Sequence, residues 1–509
     1  MRQRNVAIGL VLASVCLSSY GASETDSLAP ERPDRPWNSA SNTNGQFVST
    51  NDLPVQSLDY TLPPNKALGV LPPATEVDHD KSYSLADLVD LAESNNPLTR
   101  FAWNDARQAA LAVDLARSTY LPKINGLAVG AYRSSSSTKT AYGFDLNSND
   151  SVSGAVAALS LEWLLFDFGK RDAIVETTRQ ASIISNIAFT AAHQQLIYAI
   201  TMAFYAHASA SEHVKTAAKS LENIKAIQAA AEDRYKHGIG TVIEVAQARQ
   251  ASAQANLIKV QADGALEDAY VTLLSAMGVS PLTKLNIADV SGRELSPAML
   301  TPVEKVLTDA LARRPDVLSA YAAQQASQAN IRSQEAEFKP KVFVAASLGQ
   351  SSGGLSVTAL PGLGAQAPTV DLSGSRRSGT VFVGVSMPLY DGGMRNTTLA
   401  KARIEAESAD LRLTKVREDA VRQIIVNRNA LHTSMTSYTA AQALLDATQT
   451  TFEAALAAYR SGVGSITELT LAETQLLQAK NTLSDSYNKT LATAATLALS
   501  TGSLGAAPK

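Results

Sequence analysis

The residues of this chain able to do chemistry are few, and they do not converge. Glu212-His213 and Asp78-His79-Asp80 set an imidazole beside carboxylates, the donor types of a weak divalent-cation site. None of the six histidines pairs with another at helical ligand spacing, so neither group grows into a metal centre. Asp167-Phe168-Gly169 has the form of a kinase metal-binding triplet but lacks the glycine-rich and catalytic loops that give it meaning. No G-x-S-x-G or phosphate-binding loop stands out. The single cysteine, Cys16, lies near the N-terminus and offers no catalytic nucleophile or disulfide within one chain. The pattern argues against an enzyme and predicts no cofactor or resident metal.

What the chain does carry is a plan written twice. Pro97 and Pro122 answer to Pro315 and Pro340, each pair 25 positions apart. Further on the offset settles at 224: Asp167/Asp391, Gly169/Gly393, Arg171/Arg395, Tyr235/Tyr459, Gly238/Gly462, Gly240/Gly464, Glu244/Glu468 and Gly278/Gly502. A correspondence over nearly 200 residues marks an internal structural repeat. The layout reads as a signal peptide at 1–22, a proline-rich extension at 23–81, a first repeat at 82–280, a linker at 281–301, a second repeat at 302–505 and a tail at 506–509.

In the signal region, Arg2 and Arg4 precede an apolar core from Val6 to Val15. Cys16 at its end has the position of a lipid acceptor, but Val15 before it is unusual for one, and ordinary cleavage after Gly21 or Ser23 is the preferred reading. Eight of the nineteen prolines lie between Pro30 and Pro73. That composition predicts an extended segment wrapped on the folded body, with Trp37, Leu68 and Leu71 as anchors. The net charge of −3 gives no reason to expect nucleic acid. No internal stretch reaches the 18 apolar residues of a membrane-spanning helix.

Asp172 to His237 and Asn396 to Ser461 contain neither Gly nor Pro, and each run is long enough for a helix of roughly 100 Å. Gly238 and Gly240, or Gly462 and Gly464, then permit a tight turn into a second helix ending before Gly278 or Gly502. Leu469, Leu476 and Leu483, with Ala472 and Ala479 between them, read as a coiled-coil seam. Ahead of each long helix come two segments of period-two alternation. They are Leu127/Val129/Ala131 and Ala155 to Trp163 in the first copy, and Val342/Val344/Ala346 and Val381 to Met387 in the second. A polar loop from Ser134 to about Ser151 and a Gly/Ser-rich loop from about Gln350 to Gly379 separate the pairs. Such weakly apolar strands suit a membrane barrel. Four per chain cannot close one, so several chains must share it.

Two motifs, each present twice, resemble the TolC family of bacterial outer-membrane efflux and export channels. The strand-to-helix junctions are Trp163-Leu-Leu-Phe-Asp-Phe-Gly-Lys-Arg171 and Pro388-Leu-Tyr-Asp-Gly-Gly-Met-Arg395. The hairpin tips are Arg234-Tyr-Lys-His-Gly-Ile-Gly-Thr241 and Ala458-Tyr-Arg-Ser-Gly-Val-Gly-Ser465. The resemblance, over about 82–505, implies a mainly α protein with a β membrane barrel. It implies a homotrimer whose twelve strands form one barrel in outer-membrane lipid, with helices continuing as a periplasmic tunnel. It further implies a non-enzymatic duct working with a periplasmic adaptor and an inner-membrane RND or ABC transporter, in small-molecule efflux or in type I protein secretion. A coiled-coil structural protein without a pore is the remaining alternative.

By the same resemblance the entrance gate and adaptor-docking tips comprise Tyr235, Gly238, Gly240, Glu244, Tyr459, Gly462, Gly464, Glu468 and Leu471. Glu244 is the expected acidic partner of Tyr459. The family's two acidic entrance rings fall on Glu468 and Leu471, so one layer becomes apolar. Glu244, Glu468 and Glu473 also read as ordinary solvated helix charges. Asp167, Gly169, Asp391 and Gly393 shape the strand-to-helix bend, the aspartates as helix caps. Pro122 and Pro340 mark the reverse passage from helix into strand.

Overall fold

The computed structural model describes residues 77–141, 144–290, 295, 303–352 and 377–505, together with 65, 67–69 and 75. The expected signal peptide, Cys16, Trp37 and Leu71 lie outside these residues. Met1–Pro73 and Ala74–Lys509 are separate compact units. Of the first, the described residues are 65 and 67–69, a short turn in which Leu68 is exposed.

In the second unit each copy has the same order. The first copy runs α1 (Leu85–Asn95), α2 (Pro97–Ser118), β2 (Lys123–Ala141), β3 (Phe144–Phe166), α3 (Lys170–Lys236) and α4 (Val242–Met277). The second runs α5 (Val303–Leu311), α6 (Pro315–Ala336), β5 (Lys341–Ser352), β6 (Ser378–Ser386), α7 (Met394–Arg460) and α8 (Ile466–Ser500). Both long helices, α3 and α7, are 67 residues and fill the glycine- and proline-free runs. Pro97 and Pro315 open α2 and α6 at the first helical turn, where a missing N–H costs nothing. Two short strands, β1 (Ser82–Tyr83) and β4 (Asn286–Ile287), pair in parallel and tie the start of the first repeat to the segment after α4. Their two-residue length left no periodicity to read.

Long helices need partners, and these find them along their length. α3 packs against α4, α6, α2 and α8, while α7 packs against α8 and α6. Leu469, Ala472, Leu476 and Ala479 are buried along α8, and Leu483 is half-buried. A second core gathers Leu88, Ile200, Leu273, Leu274 and Met277 where α1 lies on α3 and α4. Each such side chain contributes about 1.5–3 kcal/mol by leaving water. Among the described residues no helix is long and apolar enough to cross a membrane.

The sheet is antiparallel in the order β2-β3-β5-β6. β2 and β3 run further than the alternation suggested. Pairing continues through the Ser/Thr segment from Ser134↔Ser151 to Ala141↔Phe144, so the expected polar loop is a two-stranded ribbon. Register fixes which positions share a face. Trp163, Leu161 and Leu159 align with Val344, Ala346 and Leu348, which in turn align with Val383, Val381 and Gly379. On that face β2 contributes Ile124, Gly126 and Ala128. Leu127 and Val129, the apolar positions of the β2 alternation, lie on the opposite face beside Ala158 and Val156.

Candidate functional site

The two hairpin tips repeat each other bond for bond. At the end of α3, Gly238 N–H donates to Tyr235 O, and Ile239 and Gly240 N–H both donate to Arg234 O. At the end of α7, Gly462 donates to Tyr459 O, and Val463 and Gly464 to Ala458 O. Gly238 and Gly462 have φ of 74° and 82°, the left-handed region. Gly240 and Gly464 serve space instead. A Cβ on Gly464 would lie 2.9 Å from Tyr459 N, and one on Gly240 3.0 Å from Tyr235 N. Thr241 and Ser465 then cap the return helices.

The side chains break this symmetry. Tyr459 is buried in a cluster with Ile227, Ala231, Ala248, Ile466 and Leu469, whereas its counterpart Tyr235 is exposed. The Arg234 guanidinium lies over the Tyr459 ring, 5.4 Å from its centroid. It also approaches the other tip, with Nη1 3.8 Å from the place of a Cβ on Gly462. Tyr459 Oη, Glu244 Oε2 and Arg234 Nε are buried without hydrogen-bond partners. The expected Tyr459–Glu244 hydrogen bond is therefore not made within the chain. Burial first, then the Glu244 charge, raises the Tyr459 pKa above its ordinary value, against the opposing pull of Arg234. Arg234 was not singled out from the sequence, because the other copy has Ala458 at its position and the repeat hides it.

Glu468 is exposed and engaged locally. Its backbone N–H donates to Ser465 Oγ at 3.2 Å and its carboxylate accepts from Ser465 N at 3.2 Å, a capping box. Leu471, one turn further along α8, is exposed. Glu473 departs from the solvated reading, being 2% exposed. Its Oε1 accepts from Asn223 Nδ2 at 3.2 Å while Oε2 has no partner, because the α8 seam is wide enough to bury 472 and 473 together.

At the junctions the N-cap glycines Gly169 (φ 89°) and Gly393 (φ 88°) have no side chain to cap with. The aspartate two residues earlier does it. Asp167 Oδ2 accepts from Arg171 N and Nε, both at 3.0 Å. Asp391 accepts from Gly393 N, Arg395 N and Arg395 Nε. The hydrogen bond from the Arg395 side chain leads in holding the Asp391 carboxyl below its ordinary pKa. The arginines were missed as functional parts of the bend. Arg171 is buried, stacks on Tyr120, and donates to the carbonyls of Thr119, Leu164 and Leu165. It thus binds the end of α2, the end of β3 and the start of α3 into one joint. The left-handed residue before Gly169 is Phe168 (φ 54°), where the second copy has Gly392 (φ 68°).

The weak cation candidates are used otherwise. Glu212 pairs with Lys215 at 2.5 Å, His213 with Asp485 at 2.9 Å, and His79 Nδ1 is 3.1 Å from Lys284 O. Among the described residues no three His, Cys, Asp or Glu side chains group to hold a metal.

A model of the family described as outer membrane efflux protein matches residues 88–279 and 306–503, one match per copy. The chain belongs to the outer membrane efflux protein family. It is 28% identical over 414 residues to protein CyaE of Bordetella pertussis, covering 80% of this chain and 81% of that one. Outer membrane protein TolC of Escherichia coli is 24% identical over 412 residues, with 80% of each covered. Among solved structures, CusC superposes with a TM-score of 0.69 at 20% identity, over 86% of this chain and 99% of that one. As an outer membrane efflux protein the chain is a passive channel component of the outer membrane that extends into the periplasm, and not an enzyme. Family membership also sets aside the pore-free coiled-coil reading.

Proposed function

We propose that the protein is the exit duct of an envelope-spanning efflux system. Three chains share a twelve-stranded barrel in the outer membrane. Their helices continue as a tunnel to the tips, where a periplasmic adaptor docks and joins the duct to an inner-membrane RND or ABC transporter. The observation that carries this reading is the sheet β2-β3-β5-β6, in which β2 and β6 have no outer neighbour among the described residues. An unpaired strand edge in lipid costs several kcal/mol for each polar group, so the barrel must be closed by further copies. The apolar face with Trp163, Val381, Val383 and Val385 suits lipid, and the face with Lys123, Ser160 and Glu162 suits a watery lumen.

The tips suit a gate and a docking point. Tyr459, Glu244 and Arg234 hold polar atoms that the chain itself does not satisfy, available to neighbouring tips. Ile239 and Val463 are exposed at the turns, where an adaptor's apolar side chains would meet them. Leu471 supplies an apolar constriction and Glu468 one acidic layer. Small molecules are the proposed cargo, with type I protein secretion the alternative. A relative 24% identical carries the name cation efflux system protein CusC, which places ions among the cargoes to try.

The test combines particle mass by light scattering in detergent with conductance in planar bilayers and drug susceptibility of a deletion strain carrying the gene. Three chains per particle, discrete conductance and restored resistance are expected. A single-chain particle without conductance overturns the reading. Conductance without restored resistance, but with restored export of a protein, moves the cargo to type I secretion.

A further inference from the structure

α8 is flanked on both sides within its own chain, by α3 and by α7. In a tunnel wall it therefore has only an outer and an inner face left. On one of these, Leu483, Ser484 and Tyr487 line a cleft with Asp289 and Val290 of the segment after β4, and Tyr487 Oη donates to Val290 O at 3.4 Å. Chain packed on the inner wall of a duct would plug it, so this face is the outer one. Two steps along a helix turn about 200°. Lys489 thus stands opposite Tyr487, on the inner face. An exposed row at three- and four-residue spacing leads up to it, from Glu468 and Leu471 near the tip through Gln475, Gln478 and Thr482.

The row ends in a second cleft, of about 510 Å³, between α7 and α8. Its walls are hydroxyls: Thr433, Ser434 and Ser437 from α7, and Thr482, Ser486 and Thr493 from α8. Ser434 and Thr493 bond each other, and Thr482 bonds the Gln478 carbonyl. The hydroxyls of Thr433, Ser437 and Ser486 have no partner among the described residues.

Two charged side chains line the cleft, Asp485 and Lys489, both from α8. Asp485 is drawn towards α3, where its Oδ1 accepts from Ser209 Oγ and lies 2.9 Å from His213 Nε2. The hydrogen bond from Asp485 leads in raising the His213 pKa, which favours the imidazolium that offsets this carboxylate. Lys489, exposed, has no ion pair or hydrogen bond among the described residues. Glu468 is too distant to neutralise it. The two are 21 positions apart on α8, about 31 Å, or about four screening lengths at physiological salt.

We infer that Lys489 and its equivalents in two further copies form a cationic ring in the tunnel, and that the hydroxyl-lined cleft beside each holds the carboxylate of a passing anionic solute. An ammonium with hydroxyl donors around it complements a carboxylate, and charge-assisted hydrogen bonds of this kind are the strong ones. A ring of one sign in a low-dielectric wall also raises the local concentration of the opposite ion. This cargo preference rests on the shared-duct reading and deepens it, since it names small carboxylates as the class of solute the duct favours.

The test is made on the full-length protein in planar bilayers, with benzene-1,3,5-tricarboxylate added to both sides. This trianion matches three ammonium groups, and partial block of the natural protein is expected. Lys489→Gln is expected to need about tenfold more trianion for equal block, the scale of one charged hydrogen bond. Lys489→Arg is expected to keep the block. Lys480→Gln, from the outer-face cleft and about 180° around α8 from Lys489, is expected to leave it unchanged. Under a salt gradient, Lys489→Glu is expected to move the reversal potential towards cation preference. A conducting natural protein that the trianion does not block overturns the carboxylate site. Block and selectivity unchanged in conducting Lys489 variants overturn the ring, as does block lost in Lys480→Gln in place of Lys489→Gln, and the duct reading stands in each case. A natural protein without conductance removes the duct reading and the ring together.

Discussion

Arg314 donates through Nη1 to the Ser500 carbonyl at 2.6 Å, fastening the last turn of α8 to the start of α6. At the same place in the first copy, Asn96 donates through Nδ2 to the Ala276 carbonyl at 3.2 Å. Two side chains of different chemistry thus serve the same acceptor site in the repeat. The arginine does more, since it is buried and also bonds Asp316 and Gln423. Arg314→Ala is expected to lose about 2–3 kcal/mol, the scale for hydrogen bonds made by a buried charged group. Asn96→Ala is expected to lose about 1 kcal/mol as a lost cap. Urea unfolding followed by circular dichroism ranks the two, and equal losses would contradict the assignment.

The tip glycines should respond in an unexpected order. Gly462→Ala meets only a left-handed backbone, a cost of about 1–2 kcal/mol. Gly464→Ala needs no unusual φ, yet its Cβ would press on Tyr459 N at 2.9 Å and force the turn open. Amide exchange at Val463 and Gly464 is expected to quicken more for Gly464→Ala than for Gly462→Ala.

Tyr459→Phe removes a hydroxyl that has no partner within the chain. Its effect on the melting of the isolated protein is expected to stay within about 1 kcal/mol, because no intramolecular hydrogen bond is lost. A larger loss measured by calorimetry would reveal one.

Glu473 sets a pH dependence. Burial leads in raising its pKa, against hydrogen bonds from Ser220 and Asn223 and the nearby Lys480 and Lys219 charges. The folded chain therefore keeps a proton that the unfolded chain releases near 4.5. The associated stability is complete below that value and is lost as pH rises through the folded pKa. Glu473→Gln abolishes this slope. Melting curves from pH 4 to pH 8 should show the variant gaining steadily on the natural protein as pH rises. Parallel curves would refute it.

The long helices were legible because an absence, no Gly or Pro between Asp172 and His237, leaves helix with nothing to stop it. The repeat doubled every such reading. The same repeat misled where the copies diverge. It predicts alike environments for Tyr235 and Tyr459, but only one hairpin turns its tyrosine inward. In β2, apolar Leu127 and Val129 marked a face, while the true shared face holds Gly126 and Ala128, whose small side chains give little signal. The stretch beyond Ser134 is rich in Ser, Thr and Asn and so has no apolar alternation to read. Arg171 and Arg395 stood in the junction motifs without a role, since nothing local shows that the Arg171 guanidinium will donate to the Thr119 carbonyl, 52 positions away.

β2 and β3 have 19 and 23 residues, whereas β5 and β6 have 12 and 9. About 9–11 residues suffice for a tilted strand to cross the hydrocarbon of a bilayer. The first hairpin therefore carries roughly ten residues per strand more than the lipid can cover, and these lie in the Ser-, Thr- and Asn-rich stretch between Ser134 and Ser151. Whatever approaches the cell from outside meets this hydroxyl-rich ribbon, with Lys139, Asp145 and Asp150 among its residues, before it meets the pore, so much of what the channel shows to its surroundings is written into the first copy of the repeat.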